Sequence, residues 1–247
     1  MKRPESTDGP VTPLPIVDSF LETIALTIKA APMALLVLIP FELPWVLCSE
    51  LVVPRIGDPR AEPALGAVYQ IAWGILGSAA LVVLVDRQRT HPSTSVGALV
   101  KTAILSPLRH WARTCASLFI ASIVTGLLFL LGVVPGVVFW LSYAVVLPAV
   151  ALEPEAKTYP LDRSRLLMRG HRLRALWFLL PFVLLETGMG LLLLVPGIDA
   201  GGPHVEWIVY GAGLVARVFS SVSAYVLWLH VTADRAKRDG APRPTAF

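Results

Sequence analysis

The chain has 247 residues and a net charge of +4; 55% of the residues are hydrophobic and only 15% are charged. An ordinary soluble domain carries about 25% charged residues, and the mean hydropathy here is +0.68. This composition excludes an ordinary soluble globular domain and predicts an integral membrane protein in which lipid is the main solvent.

Residues 1–13 are predicted to form a disordered tail. Charges and prolines occupy the place where a signal peptide has its apolar stretch. A helical pattern follows, with Val17, Phe20 and Ile24 on one stripe and Asp18 on the other side. This predicts an amphipathic helix along the membrane surface, after which the first spanning helix directs insertion.

Six membrane-spanning helices are predicted. A helix rises about 1.5 Å per residue, so about 20 apolar residues cross a hydrocarbon core of roughly 30 Å. Residues 114–152 contain no Asp, Glu, Lys, Arg or His and turn between Gly132 and Gly136, which suits two spans. The predicted spans are residues 30–53, 63–85, a hairpin over 114–152, 175–194 and 205–232. The fold class is therefore an all-α integral membrane helical bundle.

The domain prediction follows from these spans. A single six-span membrane domain occupies residues 14–232, and a basic cytoplasmic tail occupies residues 233–247. The first span is irregular, because Pro32, Pro40 and Pro44 each lack an N–H group, and a kink is expected there.

The distribution of basic residues predicts orientation. Short loops rich in Lys and Arg stay in the cytoplasm. With both termini and the two long connectors inside, all of the 21 basic residues are cytoplasmic except Arg55, Arg60 and Arg217. The chain is thus predicted to be a multi-pass cell-membrane protein with both termini in the cytoplasm.

The connectors carry further interfacial helices. Val96, Leu99 and Ala103 form an apolar stripe before the third span, and residues 160–174 mix leucines with arginines before the fifth. Each predicted interfacial helix precedes a pair of spans, so the chain reads as three copies of an interfacial helix followed by a transmembrane hairpin.

A family resemblance begins at Pro135-Gly136 and continues through Pro148, Glu153 and residues 161–174. A Pro-Gly turn, a Pro-ended span and a short helix with Ser, a hydrophobic pair and Gly recur in this order in YciC-type bacterial membrane proteins. They also recur in the membrane domain attached to some glycerophosphodiester phosphodiesterases. The chain resembles these families, and departs from them at Leu161, where Ala is expected, and at His171-Arg172, where an aromatic residue is usual.

What the resemblance implies is a six-span fold in a bacterial inner membrane. It implies no catalysis, since the membrane domain is not the catalytic part of the fused enzymes. No phosphodiesterase domain accompanies the motif within residues 1–247.

Charged residues inside predicted spans are the best functional clues, because charges there are costly and seek protein partners or water. Glu186 and Arg217 both fall near mid-span and form a natural pair. One interpretation is a structural ion pair that locks the last two helices. The other is a midplane polar site, formed with Glu42 of the first span, that binds a polar headgroup or relays protons.

Five arginines between the fourth and fifth spans form a second candidate site. Anionic lipid headgroups attract such groups, each contributing about 1 kcal/mol near the surface; the alternative is ordinary orientation signalling. The predicted lipid-binding collar consists of Arg163, Arg165, Arg169, Arg172 and Arg174.

The sequence carries no nucleophile motif, phosphate loop or metal-ligand spacing, so no enzyme activity, metal or cofactor is expected. Topology accounts for the basic charge, so no nucleic-acid partner is expected. Two functions remain: a non-catalytic lipid-interacting or accessory scaffold whose partners are membrane lipids, and alternatively a transporter or exporter component with the midplane polar site.

Overall fold

The computed structural model describes residues 14–57, 65–66, 68–153, 155–156, 158–192 and 203–239. Within its helices, the side chains of residues 71, 72, 186, 187, 189–192 and 203–210 lie outside that description. The predicted tail over residues 1–13 and the end of the predicted C-terminal tail, residues 240–247, lie outside it as well. Helix accounts for 88% of the described residues and strand for none, which confirms the all-α class.

Ten α-helices and one π-helical segment make up the described chain. In order they are α1 (Ile16–Leu51), α2 (Val53–Ile56), the π segment (Gln70–Gly74), α3 (Ile75–Thr90), α4 (Val96–Arg109), α5 (Trp111–Leu131), α6 (Val133–Ser142), α7 (Val146–Leu152), α8 (Pro160–Met168), α9 (Arg172–Leu192) and α10 (Pro203–Arg238).

Four stretches of the described chain are long and apolar enough to cross a membrane: Ile16–Ile56, Trp111–Leu131, Val133–Leu152 and Gly211–Arg238. They coincide with the predicted first, third, fourth and sixth spans. The predicted second and fifth spans include residues outside the description. The membrane class is therefore supported, while the count of six spans and the internal repeat stay predictions.

Helix α1 joins the first predicted interfacial helix and the first span into one helix of 36 residues that continues through all three prolines. Its small and hydroxyl side chains Ser19, Thr23 and Thr27 are buried, whereas Val17 and Ile28 are exposed. A buried hydroxyl can donate its hydrogen bond to a backbone carbonyl of its own helix, as Thr23 Oγ1 does to the Ser19 carbonyl at 2.8 Å. This arrangement is typical of helices that pack closely through small residues and present large apolar ones to lipid.

Helix α3 is the centre of the bundle. Every residue from Leu76 to Asp86 is buried except the half-buried Ser78, and α3 packs against α1, α4, α7 and α10. A helix that is apolar on all sides is stable only when other helices surround it. Gly77 lets α1 approach, because a Cβ there would lie 3.2 Å from Leu38 Cδ2.

The hairpin turns more tightly than predicted. Only Gly132, at φ +154°, separates α5 from α6, and Pro135 lies in the first turn of α6, where a missing N–H costs nothing. Gly136 packs against α5, because a Cβ there would come within 2.9 Å of Phe129 Cα. Of the predicted turn residues, Pro135 therefore belongs to the start of α6 and Gly136 to its contact with α5.

The predicted fourth span is interrupted between Ser142 and Val146, where α6 ends and α7 begins. Pro148 has no N–H to offer the carbonyl four residues earlier, which favours a break in the helix at this point. The Ser164 hydroxyl of α8 donates to the freed Ser142 carbonyl at 3.0 Å. This bond ties α8 to the broken span and satisfies a backbone group that lipid could not.

The third predicted interfacial helix, residues 160–174, is two elements. Helix α8 ends at Met168, and Gly170, at φ +89°, turns the chain so that α9 begins at Arg172. Helix α10 continues past residue 232, the predicted domain end, to Arg238. Residues 233–238 of the predicted tail are thus part of the last helix.

Candidate functional site

Pro44 leaves one carbonyl of α1 without its helical donor in the middle of the bundle. Pro44 has no N–H, so it cannot bond to the Pro40 carbonyl four residues earlier. The indole Nε1 of Trp73 donates to that carbonyl at 3.3 Å, and the Tyr69 hydroxyl donates to the neighbouring Phe41 carbonyl. The chain around the π segment thus supplies the hydrogen bond that Pro44 removes from α1 and adds a second one to the next carbonyl.

A charged cluster lies beside these bonds. Arg217 of α10 donates through Nη1 to Glu42 Oε1 on α1 and through Nη2 to Gln70 Oε1 on the π segment, the latter at 3.3 Å. The Glu42 side chain is 6% exposed and that of Arg217 is 23% exposed. Three chain segments therefore meet at one buried ion pair, which we call the midspan cluster: Glu42, Gln70 and Arg217.

The depth of the midspan cluster follows from helix geometry. The Lys29 carbonyl of α1 accepts from Gln88 Nε2 near the end of α3, at 3.3 Å. Glu42 lies thirteen residues further along α1, which is about 20 Å at helical rise. The cluster is thus well inside the apolar part of the bundle.

The predicted midplane site is brought together in part. The structure joins Glu42 to Arg217, while Glu186 lies on α9 with its side chain outside the described residues. The pairing of Glu186 with Arg217 therefore stays a prediction. The sequence reading missed Gln70, although an amide inside an otherwise apolar span was a signal that could have indicated it.

The π segment matters for how Gln70 reaches Arg217. π-Helical turns widen a helix locally and often occur at functional sites. A Cβ on Gly74 would collide with Gln70 Oε1, so glycine leaves room for the Gln70 amide to fold along its own helix. Gly74 is thus a supporting residue of the midspan cluster.

Replacing Gly74 with Ala should therefore act through Gln70. Loss of a hydrogen bond to a charged group costs about 1.5–3 kcal/mol, and Ala recovers about 1 kcal/mol as the better helix former, so we expect a net destabilisation of about 0.5–2 kcal/mol. In a Gln70→Ala background the same Gly74→Ala change should be neutral or stabilising, because Ala is the better helix former by about 1 kcal/mol. Unfolding titrations of the four proteins in mixed micelles measure both values. Equal destabilisation in the two backgrounds would contradict the role given to Gly74.

The other end of these helices carries most of the described charged contacts. Glu22 near the start of α1 lies 3.4 Å from Arg89 of α3 and 3.4 Å from His230 of α10. We call this end of the bundle the basic end; it is the end that the sequence predicts to be cytoplasmic. Asp86 accepts a hydrogen bond from the fully buried Tyr225 hydroxyl at 3.0 Å, and burial raises the pKa of the Asp86 carboxyl.

The predicted arginine collar divides into two groups. Arg163 is committed to Glu153, with its Nε 2.9 Å and its Nη2 3.2 Å from the two carboxylate oxygens. Arg172 is half-buried. The three exposed members are Arg165, Arg169 and Arg174. These three form the exposed collar.

A buried clasp holds the end of α10. His171 Nε2 lies 3.0 Å from Asp234 Oδ2 and 3.2 Å from Arg238 Nη2. The side chains of His171, Asp234 and Arg238 are 2%, 5% and 11% exposed. The contact between His171 and Asp234 was not predicted from the sequence, where His171 had no assigned role and Asp234 lay in the predicted tail. Nothing in the local pattern links two residues so far apart in the chain.

The clasp predicts a pH effect on stability. Burial lowers the pKa of His171 from its usual 6.5, against the raising effect of Asp234, while Arg238 and Arg174 also lower it. The unfolded chain then takes up a proton first as the pH falls, so stability decreases below about pH 6.5. The melting temperature should decrease more between pH 7.5 and pH 5.5 in the native chain than in the His171→Gln variant. An equal fall in both would contradict the prediction.

Comparisons with known proteins find no relative of this chain. No protein-family model, no curated protein and no solved structure matches the chain. The function is therefore inferred from the residues and contacts above. Among the residues searched for metal sites, which are the described ones, no group of three or more His, Cys, Asp or Glu is close enough to hold an ion.

Proposed function

We propose that the chain is a non-catalytic integral protein of the bacterial inner membrane that binds anionic lipid headgroups at its basic end, with both termini in the cytoplasm. The exposed collar is the observation that supports this function most. Its arginines have no carboxylate partner among the described residues, so their charge is available to a ligand. The resemblance to YciC-type membrane proteins belongs to the same proposal.

Apolar side chains beside the exposed collar support a membrane-surface position. Leu166 is 48% exposed, Leu173 is 68% exposed and Trp177 is 59% exposed, all within a few residues of the collar arginines. Indole rings prefer the interface, where one edge is apolar and the other wet. The arginines would then lie at the depth of the lipid phosphates, where guanidinium groups bind oxyanions through paired N–H donors.

Tryptophan quenching tests this proposal. Trp177 fluorescence, isolated as the difference between the native chain and Trp177→Phe, should be quenched by brominated phosphatidylglycerol at least fivefold more effectively than by brominated phosphatidylcholine. The preference should vanish when all three exposed collar arginines become Gln. Arg55→Gln, an exposed arginine of α2 outside the collar, is the matched control and should keep it. No preference in the native chain would overturn the proposal.

The midspan cluster favours a second candidate, a transporter or exporter component. Transporters place their polar sites near the bilayer centre and often interrupt helices there. Here a buried ion pair lies beside a π segment and two helix prolines. A substrate path would require water to reach the cluster.

Cysteine accessibility tests the second candidate. Gln70→Cys, in a chain whose Cys48 and Cys115 are replaced by Ser, would be labelled by a membrane-impermeant maleimide in intact vesicles if a water path exists. Labelling only after the protein is unfolded would exclude the path and assign the cluster a structural role.

A further inference from the structure

A cavity of about 1070 Å³ opens at the basic end, between the start of α1, the ends of α3 and α7, and the last turns of α10. Small-molecule sites are typically about 300–1,000 Å³, so the volume suits a lipid headgroup with the first part of its tails. Its walls are both apolar and polar. Val83, Leu152 and Leu229 contribute apolar surface, and most of the charged contacts of the basic end also line the cavity.

Most charges in this lining neutralise one another. Glu22 lies against Arg89 and His230, and Glu153 is held by Arg163 through two bonds. The Asp86 carboxyl accepts a hydrogen bond from the neutral Tyr225 hydroxyl, and the Arg87 and Arg89 charges act on it without a direct ion pair. Such pairs give a ligand little reason to bind, since both members already have a partner.

Besides His230 Nε2, which faces Glu22 at 3.4 Å without a hydrogen bond, three groups of the lining can take a further partner. Among the described residues, the Arg87 guanidinium and the Glu155 carboxylate form no hydrogen bond or ion pair. The indole Nε1 of Trp228 is buried without an acceptor, and the side chain is 7% exposed. A buried donor without a partner costs about 1–3 kcal/mol, which a bound acceptor would recover.

These three groups describe the chemistry of a ligand. Two donors, one of them cationic, require an oxyanion, and guanidinium groups bind phosphate through parallel N–H bonds. The exposed Glu155 carboxylate at the cavity mouth favours a cation, and an ammonium group offers it N–H donors. We propose that this cavity binds a zwitterion with a phosphate at Arg87 and Trp228 and a primary ammonium at Glu155, the chemistry of a phosphoethanolamine group.

The ligand chemistry has two sources, the headgroup of phosphatidylethanolamine and soluble phosphoethanolamine. The site is distinct from the exposed collar, which attracts anionic lipids from the membrane surface. It does not rest on the collar, because none of the three exposed collar arginines lines the cavity.

Native mass spectrometry of the full chain in detergent tests the cavity. Phosphatidylethanolamine should bind at least tenfold more tightly than phosphatidylcholine of the same chain length, since a quaternary ammonium offers no N–H donor. Arg87→Gln and Glu155→Gln should each weaken binding at least tenfold. Arg55→Gln and the triple Gln variant of the exposed collar should leave it unchanged. Binding of soluble phosphoethanolamine without any binding of the lipid would assign the site to the soluble source.

Folding of the variants is checked by thermal melting. Should Arg87→Gln melt more than about 5 °C lower than the native chain, Arg87→Lys decides instead, because it keeps the charge but loses the planar fork. A drop in phosphatidylethanolamine binding by Arg87→Lys supports the site. The site is overturned if the native chain binds phosphatidylethanolamine and phosphatidylcholine equally. It is also overturned if the deciding Arg87 variant binds phosphatidylethanolamine as tightly as the native chain does.

Discussion

Replacing Glu42 with Gln should destabilise the bundle by about 3–5 kcal/mol, because the change removes the carboxylate that pairs with the half-buried Arg217 charge among the described residues. The side chain of Arg217 is 23% exposed, and its second hydrogen bond, to Gln70, is to a neutral amide. Unfolding titrations in mixed micelles, with helicity followed by circular dichroism, give the free energy of unfolding directly.

The reverse change should be milder. A guanidinium keeps its charge under all ordinary conditions, so the larger cost falls on the change that takes the carboxylate away from Arg217. Arg217→Met should therefore cost less than Glu42→Gln, although both break the same pair. Equal costs would mean that the midspan charges are hydrated rather than buried against protein.

The double change separates structure from function. Glu42→Gln with Arg217→Met removes both charges, and such replacements of buried pairs are often close to neutral for stability. We expect the double variant to be more stable than the Glu42→Gln protein. A double variant that folds normally but loses a bound ligand would give the cluster a binding role, as the transporter candidate requires.

Replacing Asp234 with Asn is the second change with a large expected effect, again about 3–5 kcal/mol. Asp234 is 5% exposed and faces both His171 and Arg238, so its loss leaves the buried Arg238 charge without its carboxylate. The clasp would open, and the last turns of α10 would separate from the start of α9. Hydrogen exchange of residues 228–238 should increase in step with the loss of stability.

A matched control lies one turn away. Asp239 pairs with Arg235 at 2.8 Å on the surface, with side chains that are 48% and 36% exposed. Exposed pairs on a helix contribute about 0.3–0.5 kcal/mol. Asp239→Asn should therefore change stability by no more than about 0.5 kcal/mol, and an equally small cost for Asp234→Asn would show that the clasp is solvated.

The all-helical class and four of the spans were predictable because hydrophobic length is a local property of the sequence. Which side of each helix packs against protein and which side faces lipid was not predictable. Val17, Leu21 and Ile28 of α1 are exposed while Ser19 and Thr23 are buried, and an apolar stripe cannot distinguish lipid from a protein core because both are apolar.

The midspan cluster shows the same limit of prediction from the sequence. The sequence indicated Glu42 and Arg217, because charges within apolar runs are conspicuous, but it favoured Glu186 as the partner of Arg217. Which side chains meet depends on helix rotation, and here the packing of α1 and α10 around the π segment brings Glu42 to Arg217. The contact between Glu42 and Arg217 across this interface was not predicted from the sequence, and the pairing of Arg217 with Glu186 stays a prediction.

The collar illustrates a third limit. Five arginines within a short segment looked like one site, yet Arg163 is held by Glu153, ten residues earlier, while Arg165 is exposed. A break between α8 and α9 at Gly170 changes the direction of the chain, so helical spacing could not sort these residues. Backbone breaks of this kind follow from tertiary contacts such as the bond from Ser164 to the Ser142 carbonyl.

The proposal that the chain binds membrane lipids is best tested by native mass spectrometry of protein extracted gently from its own membranes. We expect phospholipid to be retained, and the anionic species to be lost when the three exposed collar arginines are changed to Gln. A protein that carries no lipid, or that carries a soluble molecule lost in the double variant of Glu42 and Arg217, would contradict it and favour the transporter instead.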